Sequence, residues 1–511
     1  MKRFWLVLLT LGLVMAFSAS AFAVDVKVSG EYYAAGLYLN KTTLNDARWG
    51  YDRTNPSTAF FFQRLRIGTD FIMSPSLKLV TRFDAMERIW GGQRSYPDPT
   101  QGTKGIYQDP TSAGTRAENE NIAFDLAYVE YISPVGLFRV GYQPDYEWGT
   151  VFGNRTTGDP AGIITYGIKA GNITAVLQYA KEKDMSKSAV DPYATTTDRD
   201  YDSYRLGVVY NFNSSKAKGE IGGLLLWERD ATNKSYNGSP TFPYLPTPPI
   251  PYLSFTYLTN AYKLIPYFKA QIGPVALQGE AEYTFGDAMK WEDGDGVSNP
   301  YGIQNSANVS IDAWSVFLDA TATFGNFYFG GTFAYLSGDD PNTNDKLEGS
   351  NSLAAVNTSG LDWNPCLILF NNEVMTNWVG GLSGHSDSMV SGEMSNAWFF
   401  QGRVGVKPTV QSDIVLSVSY ATADKKPDPK LHSLTNSIVG GPYYSTTQYG
   451  SGSYGLEVDL TGTYKITNNL SYTLGAGYLF TGDYYKGYDY PRANYKIVDD
   501  YMIINKLTLS F

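Results

Sequence analysis

The chain has 511 residues, a formal charge of −10 and a pI near 4.9. That acidic balance excludes nucleic acid as a partner, which calls for basic patches. A single cysteine, Cys366, excludes an intramolecular disulfide, a thiol metal site and a redox pair, and two histidines, His385 and His432, leave little material for a catalytic or metal centre.

Met1-Lys2-Arg3 is a short positive segment, Phe4 to Phe17 is an apolar run, and Ala21-Phe22-Ala23 is an A-x-A cleavage site. The pattern predicts a secretory signal peptide over 1–23 and a mature chain from Val24. Removing 23 of 511 residues leaves 488, and the loss of Lys2 and Arg3 takes the charge from −10 to −12. No later run of 18 apolar residues predicts a transmembrane helix. A secreted chain without one can span a membrane only as a closed barrel. Tyr at 40, Gly at 51 and charged residues at only 18% suit the aromatic girdles and Gly-rich strands of such a barrel.

Period-two alternation in segments of about ten residues dominates the mature chain. From Val275 to Phe285, Val275, Leu277, Ala281, Tyr283 and Phe285 share one face, and Gln278, Glu280, Glu282 and Thr284 the other. The predicted strands are 25–39, 60–72, 77–89, 122–132, 135–143, 161–170, 172–181, 202–211, 218–229, 261–273, 275–286, 310–323, 326–337, 396–408, 411–422, 453–465, 469–480 and 500–511. This is an all-β, antiparallel transmembrane barrel of 18 strands, filling 24–511 as one domain; 16 is the alternative if one weak hairpin is loop. Tight turns such as Ser74-Pro75-Ser76 and Gly171-Asn172 alternate with long polar loops, including 90–121, 144–160 and 338–395. Short periplasmic turns and long extracellular loops are the asymmetry of bacterial outer-membrane barrels. A soluble sandwich has no reason to segregate loop length in this way.

The faces follow from what lipid tolerates. Leu65, Ile67 and Phe71 point out, so Arg64, Arg66 and Asp70 point in; Leu77, Leu79 and Phe83 point out, so Lys78, Arg82, Asp84 and Arg88 point in. Phe138, Val140 and Tyr142 point out, so Arg139 points in. An arginine facing lipid at midplane costs about 2–4 kcal/mol. The expected lining is therefore a basic wall of Arg64, Arg66, Lys78, Arg82, Arg88 and Arg139. Later strands add inward Arg205, Lys263, Lys269, Arg403, Lys407 and Lys465, with Glu280, Glu282, Asp319, Glu457 and Asp459. A mixed wall leaves net ion preference unreadable.

Loop 338–395 holds an apolar patch, Trp363 to Phe370, and is expected to be a self-packed surface loop; capping the mouth, packing inside or touching a neighbouring subunit are the alternatives. Asp293 with Asp295, and Asp339, Asp340 and Asp345, offer oxygen ligands to calcium but lack the last-position Glu of an EF-hand. Solvated acids, bridged to lipopolysaccharide by divalent ions, are the expectation, and no cofactor is implied. The Pro-rich run 242–251 reads as a stiff extended loop.

The last residues place Tyr501, Ile503, Leu507, Leu509 and Phe511 on one face, with Asn505 departing from the pattern. A terminal Phe511 after alternating apolar residues resembles the insertion signal read by the barrel-assembly machinery. Val24 to Tyr33 and Phe60 to Gly68 resemble the homotrimeric porins of Desulfovibrio-type sulfate reducers. The resemblance runs through most of the mature chain. It implies a trimer of barrels embedded in outer-membrane lipid, each with a water-filled pore for passive diffusion of small polar solutes and ions. Resemblance to general porins implies that loop 144–160 folds into the lumen, with Asp145, Glu147 and Asp159 facing the arginines at a constriction; the alternative is that the loop stays outside and the arginines are solvated lumen residues. A channel specific for sugars, organic acids or peptides is the alternative. A barrel enzyme is disfavoured, because neither histidine stands beside a recognisable nucleophile motif.

Overall fold

The computed structural model describes residues 24–42, 44, 56–90, 122–155, 160–187, 189, 192, 198–233, 257–291, 308–340, 342–343, 345–350, 360, 362–379, 393–426, 451–486 and 497–511. Strands β1 (Asp25–Leu39), β2 (Thr58–Ser74), β3 (Leu77–Ile89), β4 (Ile122–Ser133) and β5 (Gly136–Gln143) come first. Two-residue strands β6 (Tyr146–Glu147) and β7 (Asn154–Arg155) pair within a loop. Then come β8 (Ala161–Ala170), β9 (Ile173–Lys183), β10 (Tyr201–Asn213), β11 (Ala217–Asp230), β12 (Tyr257–Ile272), β13 (Val275–Trp291), β14 (Val309–Phe324) and β15 (Phe327–Leu336). The short β16 (Lys346–Leu347) lies parallel to the start of β14. The chain ends with β17 (Ala397–Val406), β18 (Ser412–Ala423), β19 (Ser453–Lys465), β20 (Leu470–Thr481) and β21 (Asp500–Ser510).

Apart from β6, β7 and β16, the 18 long strands pair antiparallel in chain order, and β1 closes the ring by pairing with both β2 and β21. The strand count is thus 18 rather than 16. The final residue completes the seam: Gly30 N–H donates to the Phe511 carbonyl at 2.8 Å, and Phe511 N–H returns the bond at 3.0 Å. Asn505, the polar exception on that strand, donates from Nδ2 to the Gly36 carbonyl at 3.3 Å. Two- to five-residue turns gather at one end with both described termini, and the strand ends that carry the long connections lie at the other. The strand bounds match those read from alternation to within a few residues. The largest departures are in β12 and β13, which extend to a Tyr257–Trp291 pair beyond the lipid-facing pattern. Among the described residues no helix is long and apolar enough to cross a membrane.

The polarity is that of a soluble domain turned inside out. Val129, Ile164, Leu177, Leu225, Leu264, Leu318, Phe400 and Leu474 are exposed on the outer face. Arg205, Lys263, Glu280, Glu282, Glu457 and Asp459 are buried within. Outward aromatics run in contact across neighbouring strands, from Tyr179–Tyr204 and Tyr204–Trp227 to Tyr283–Trp314.

The apolar core also sits inside the barrel. Cys366, Ile368, Leu369, Phe370, Met375 and Trp378 of the long loop are buried against Tyr33, Phe62, Phe399 and Tyr454 of the wall. The described part of loop 338–395 therefore packs inside, which corrects the expectation of a self-packed surface loop. The apolar run Trp363 to Phe370 has enough hydrophobic surface to need a partner, and inward Phe and Tyr side chains provide one. Burial pushes the Cys366 thiol well above its ordinary range, helped by the nearby Glu457 and Asp459 carboxylates. A thiol held neutral and out of water reacts slowly. A water-soluble maleimide should label Cys366 far more slowly in the folded barrel than in the denatured chain; equal rates would place this segment outside the lumen.

Candidate functional site

Strand pairing puts Arg64, Arg66, Lys78, Arg82 and Arg139 on the inward face of β2, β3 and β5, and each meets a carboxylate. Arg66 binds Asp84 through two hydrogen bonds of 2.7 Å and lies 3.7 Å from Asp125. Arg82 meets Asp125 at 3.1 Å, and Arg64 meets Glu87 at 3.8 Å. Lys78 meets Asp70 at 3.1 Å and Glu130 at 3.4 Å, and Arg139 meets Glu130 at 2.8 Å. The basic wall is a neutral ladder: five cations against Asp70, Asp84, Glu87, Asp125 and Glu130.

Two bulges build it. In β4 the register shifts opposite Arg82 and Phe83, which brings Asp125 in beside Leu126. In β3, Met86 adopts φ 55°, and the register shifts between Gln63 and Leu65. That bulge reverses the alternation beyond it. Glu87 turns in towards Arg64, and Arg88 stands opposite Gln63 on the outward face. The inward placement of Arg88 is corrected on that ground.

The described part of the loop after β5, residues 144–155, reaches across the lumen. Glu147 reaches 3.6 Å from Arg139 and so faces the ladder. Asp145 does not: its carboxylate takes Arg205 Nη2 at 2.5 Å, its carbonyl accepts from the same guanidinium, and Glu182 completes that buried group at 2.9 Å from Arg205. Asp159 lies outside the described residues. Trp148 donates from Nε1 to the Ile265 carbonyl at 3.2 Å, and its ring covers Gly207, where a Cβ would come within 2.6 Å of the indole. Only glycine permits that approach.

A single wall carboxylate, Glu280 of β13, anchors the tip. It accepts N–H bonds from Thr150 at 2.5 Å, Val151 at 2.8 Å and Gly153 at 2.7 Å, and the Thr150 hydroxyl at 2.7 Å. Glu457 of β19 does the same for the long loop, accepting from the Ile368 and Leu369 N–H groups at 2.7 Å each. The loops touch where Phe152 meets Trp363 edge-on at 6.5 Å. Tyr33 marks the border between this apolar filling and the charged lane. It packs on Phe62 and Trp378, and it lies 5.1 Å from Arg64 and 4.2 Å from Lys506. Beneath the first loop, towards the turn end, a cavity of about 960 Å³ is lined by Glu130, Arg139, Glu147, Trp148, Thr165 and Gln178 among others.

Alternation marks Glu280 and Glu457 as inward residues, but nothing in the sequence marks them as loop acceptors. The partners Glu87, Asp125 and Glu130 escape the sequence reading. Glu130 carries a signal, since it alternates with outward Val129 and Tyr131; Asp125 and Glu87 are hidden by the bulges.

Among the described residues, the calcium candidates Asp339, Asp340 and Asp345 form no shared site. Asp293 and Asp295 lie outside the described residues. Asp339 accepts the Glu348 N–H at 2.9 Å, and Asp345 lends its carbonyl to the Ser310 N–H. Asp340 accepts from the Asn342 backbone and side chain at 2.9 Å each, bonds that with Lys425 hold its carboxyl below the usual range. Cys366 does meet two carboxylates, Glu457 and Asp459, with ligating atoms within 4.8 Å of one another, a grouping that a lone cysteine does not suggest. Both Glu457 oxygens already accept loop N–H groups.

No family model matches the chain, and no characterised protein matches it by sequence. Solved structures similar to it over nearly the full length include OccK11 (OpdR) of Pseudomonas aeruginosa, at 9% identity and a TM-score of 0.44, covering 95% of this chain and 96% of that one. The outer membrane protein opdK of the same organism has 11% identity and a TM-score of 0.43, covering 95% and 99%. An anion-selective porin from Comamonas acidovorans has 10% identity and a TM-score of 0.36, covering 95% and 99%.

Removing cations from the ladder leaves its carboxylates in excess. Neutralising Arg64, Arg66 and Arg82 together to Gln should shift the reversal potential in a salt gradient towards cation selectivity; an unchanged potential would remove these residues from the ion path. Glu280→Ala strands three N–H donors, at a cost of about 1–3 kcal/mol for a buried group left unsatisfied. The loop should then leave its seat, giving larger and noisier conductance steps, and steps identical to those of the parent would show that Glu280 does not hold it.

Proposed function

We propose that the chain forms a water-filled pore in a bacterial outer membrane, through which small polar solutes and ions diffuse passively. The observation that carries this is the inverted polarity: an apolar outer face around a closed wall, with a charged lane along β2 to β5 leading to a 960 Å³ cavity. Lipid leaves no other place for so many charges, and water inside a barrel accommodates them. Ion pairs in the lane hold their partners in place while solute charges pass, the means by which rings of fixed charge tune selectivity.

The surrounding expectations belong to the same reading. Residues 1–23 direct export, and residues 24–511 make one barrel. Phe511 serves as the insertion signal to the assembly machinery. The resemblance of 24–33 and 60–68 to trimeric Desulfovibrio-type porins extends the proposal to a homotrimer in contact with lipid and lipopolysaccharide. The acids Asp145 and Glu147 shape the constriction, with Asp159 on the same loop. A substrate-specific channel is the second reading, favoured by the two loops that fill part of the lumen.

Conductance in a planar bilayer tests the proposal. Steps in groups of three that rise linearly with salt are expected. Small steps blocked saturably by one solute would favour the specific channel, and a silent bilayer after verified insertion would overturn both.

A further inference from the structure

The buried acids Glu228 and Glu282 lie 3.8 and 3.6 Å from Lys263, and Asp145 and Glu182 share Arg205. Glu457 and Asp459 break that pattern. They stand two residues apart on the inward face of β19, 0% and 4% exposed, and among the described residues neither forms an ion pair with Lys or Arg. Buried charges are paired or bound to metal, because leaving water uncompensated costs too much. Asp459 Oδ1 is moreover buried without a hydrogen-bond partner. Gly477 stands opposite Asp459 across the β19–β20 ladder, and a Cβ there would come within 2.6 Å of that oxygen. Glycine leaves the carboxylate its place.

The in-folded long loop brings a third ligand. Cys366 Sγ and one oxygen of each acid lie within 4.8 Å of one another. A lone thiol cannot make a multi-cysteine site, but the two acids supply what it lacks. The backbone around the thiol is fixed on both sides. Gln401 Nε2 donates to the Pro365 carbonyl at 2.8 Å, and Asn371 Nδ2 donates to the Cys366 carbonyl at 3.1 Å. Glu457 takes the Ile368 and Leu369 N–H groups, and each of its oxygens keeps a second lone pair.

We propose that Cys366, Glu457 and Asp459 form a zinc-binding site that ties the long loop to the barrel wall. One thiolate with two carboxylates is a mixed donor set that suits Zn²⁺, whereas Ca²⁺ and Mg²⁺ want oxygen alone. Three protein ligands leave the fourth tetrahedral position to water. Metal–ligand lengths of about 2.0–2.3 Å draw such atoms to within about 4 Å of one another, so binding asks for an adjustment of about 1 Å. The metal replaces the thiol proton, which leaves to water. The site is independent of what the pore conducts.

The test uses the full-length mature protein, folded from urea into detergent micelles with Zn²⁺ or with a chelator, then freed of unbound metal by gel filtration. Atomic emission should count one zinc per chain in the first preparation. Cys366→Ser and Asp459→Asn should each bind at least about tenfold more weakly, since loss of even an outer-shell partner costs that much. Glu457 is spared because its loss also frees the loop. Folding with Cd²⁺ should give the ultraviolet charge-transfer band of a cadmium–thiolate bond. That band is read on the parent alone, so a variant that fails to fold leaves the test standing. A parent that takes up no zinc, or shows no cadmium–thiolate band, overturns the inference and leaves the two acids sharing a proton. Zinc held equally by the parent and both variants would place it on other acids and overturn the inference as well.

Discussion

A bilayer offers no hydrogen bonds to a backbone, and this constraint shapes everything else in the chain. Strands can enter lipid only if each N–H and C=O finds a neighbour, so the sheet must close. Closure here is the ladder between β1 and β21, Glu31 to Leu39 against Met502 to Ser510, which the two bonds between Gly30 and Phe511 extend. Once the ring is shut, apolar side chains must face out and charges must face in. The inside of the molecule then becomes a place where charge is ordinary and apolar surface needs special housing.

That inversion explains how the loops are held. In a soluble domain a surface loop docks through apolar side chains on a core. Here two loops dock inward, and what grips them is buried carboxylate on backbone N–H. Glu280 takes three such donors and Glu457 two. A carboxyl group can take two or more such donors at once, and a strand can aim one wherever alternation puts an inward position. The apolar residues of the long loop then form a local core with inward Tyr33, Phe62, Phe399 and Tyr454. The charged lane is what the loops leave uncovered.

Alternation is legible in the sequence because lipid enforces it over many residues, so every long strand can be read to within a few positions. The inward facing of Arg64, Arg66, Lys78, Arg82 and Arg139 follows from the same rule. The rule fails where the backbone breaks it: one residue in the left-handed region, Met86, turns Arg88 outward and Glu87 inward. A bulge leaves no period-two trace, and the same is true at Asp125. The destination of loop residues is unreadable for another reason. Whether Asp145 meets Arg139 or Arg205 depends on the path of the backbone between distant strands, and side-chain identity does not encode that path. The apolar patch at Trp363 to Phe370 does signal a need for burial, and only the cavity it fills is missing from the sequence.

The contact between Phe152 and Trp363 has a bearing on the order of assembly. These residues are separated by more than two hundred positions, and each loop is also gripped by a strand far along the chain, Glu280 on β13 and Glu457 on β19. The first loop cannot take its seat until β13 has arrived, and the second must wait for β19. Contacts of such long sequence separation form late. A barrel without the β13 carboxylate would leave the tip of the first loop with no anchor, and one without the β19 carboxylate would leave the long loop with none of its own.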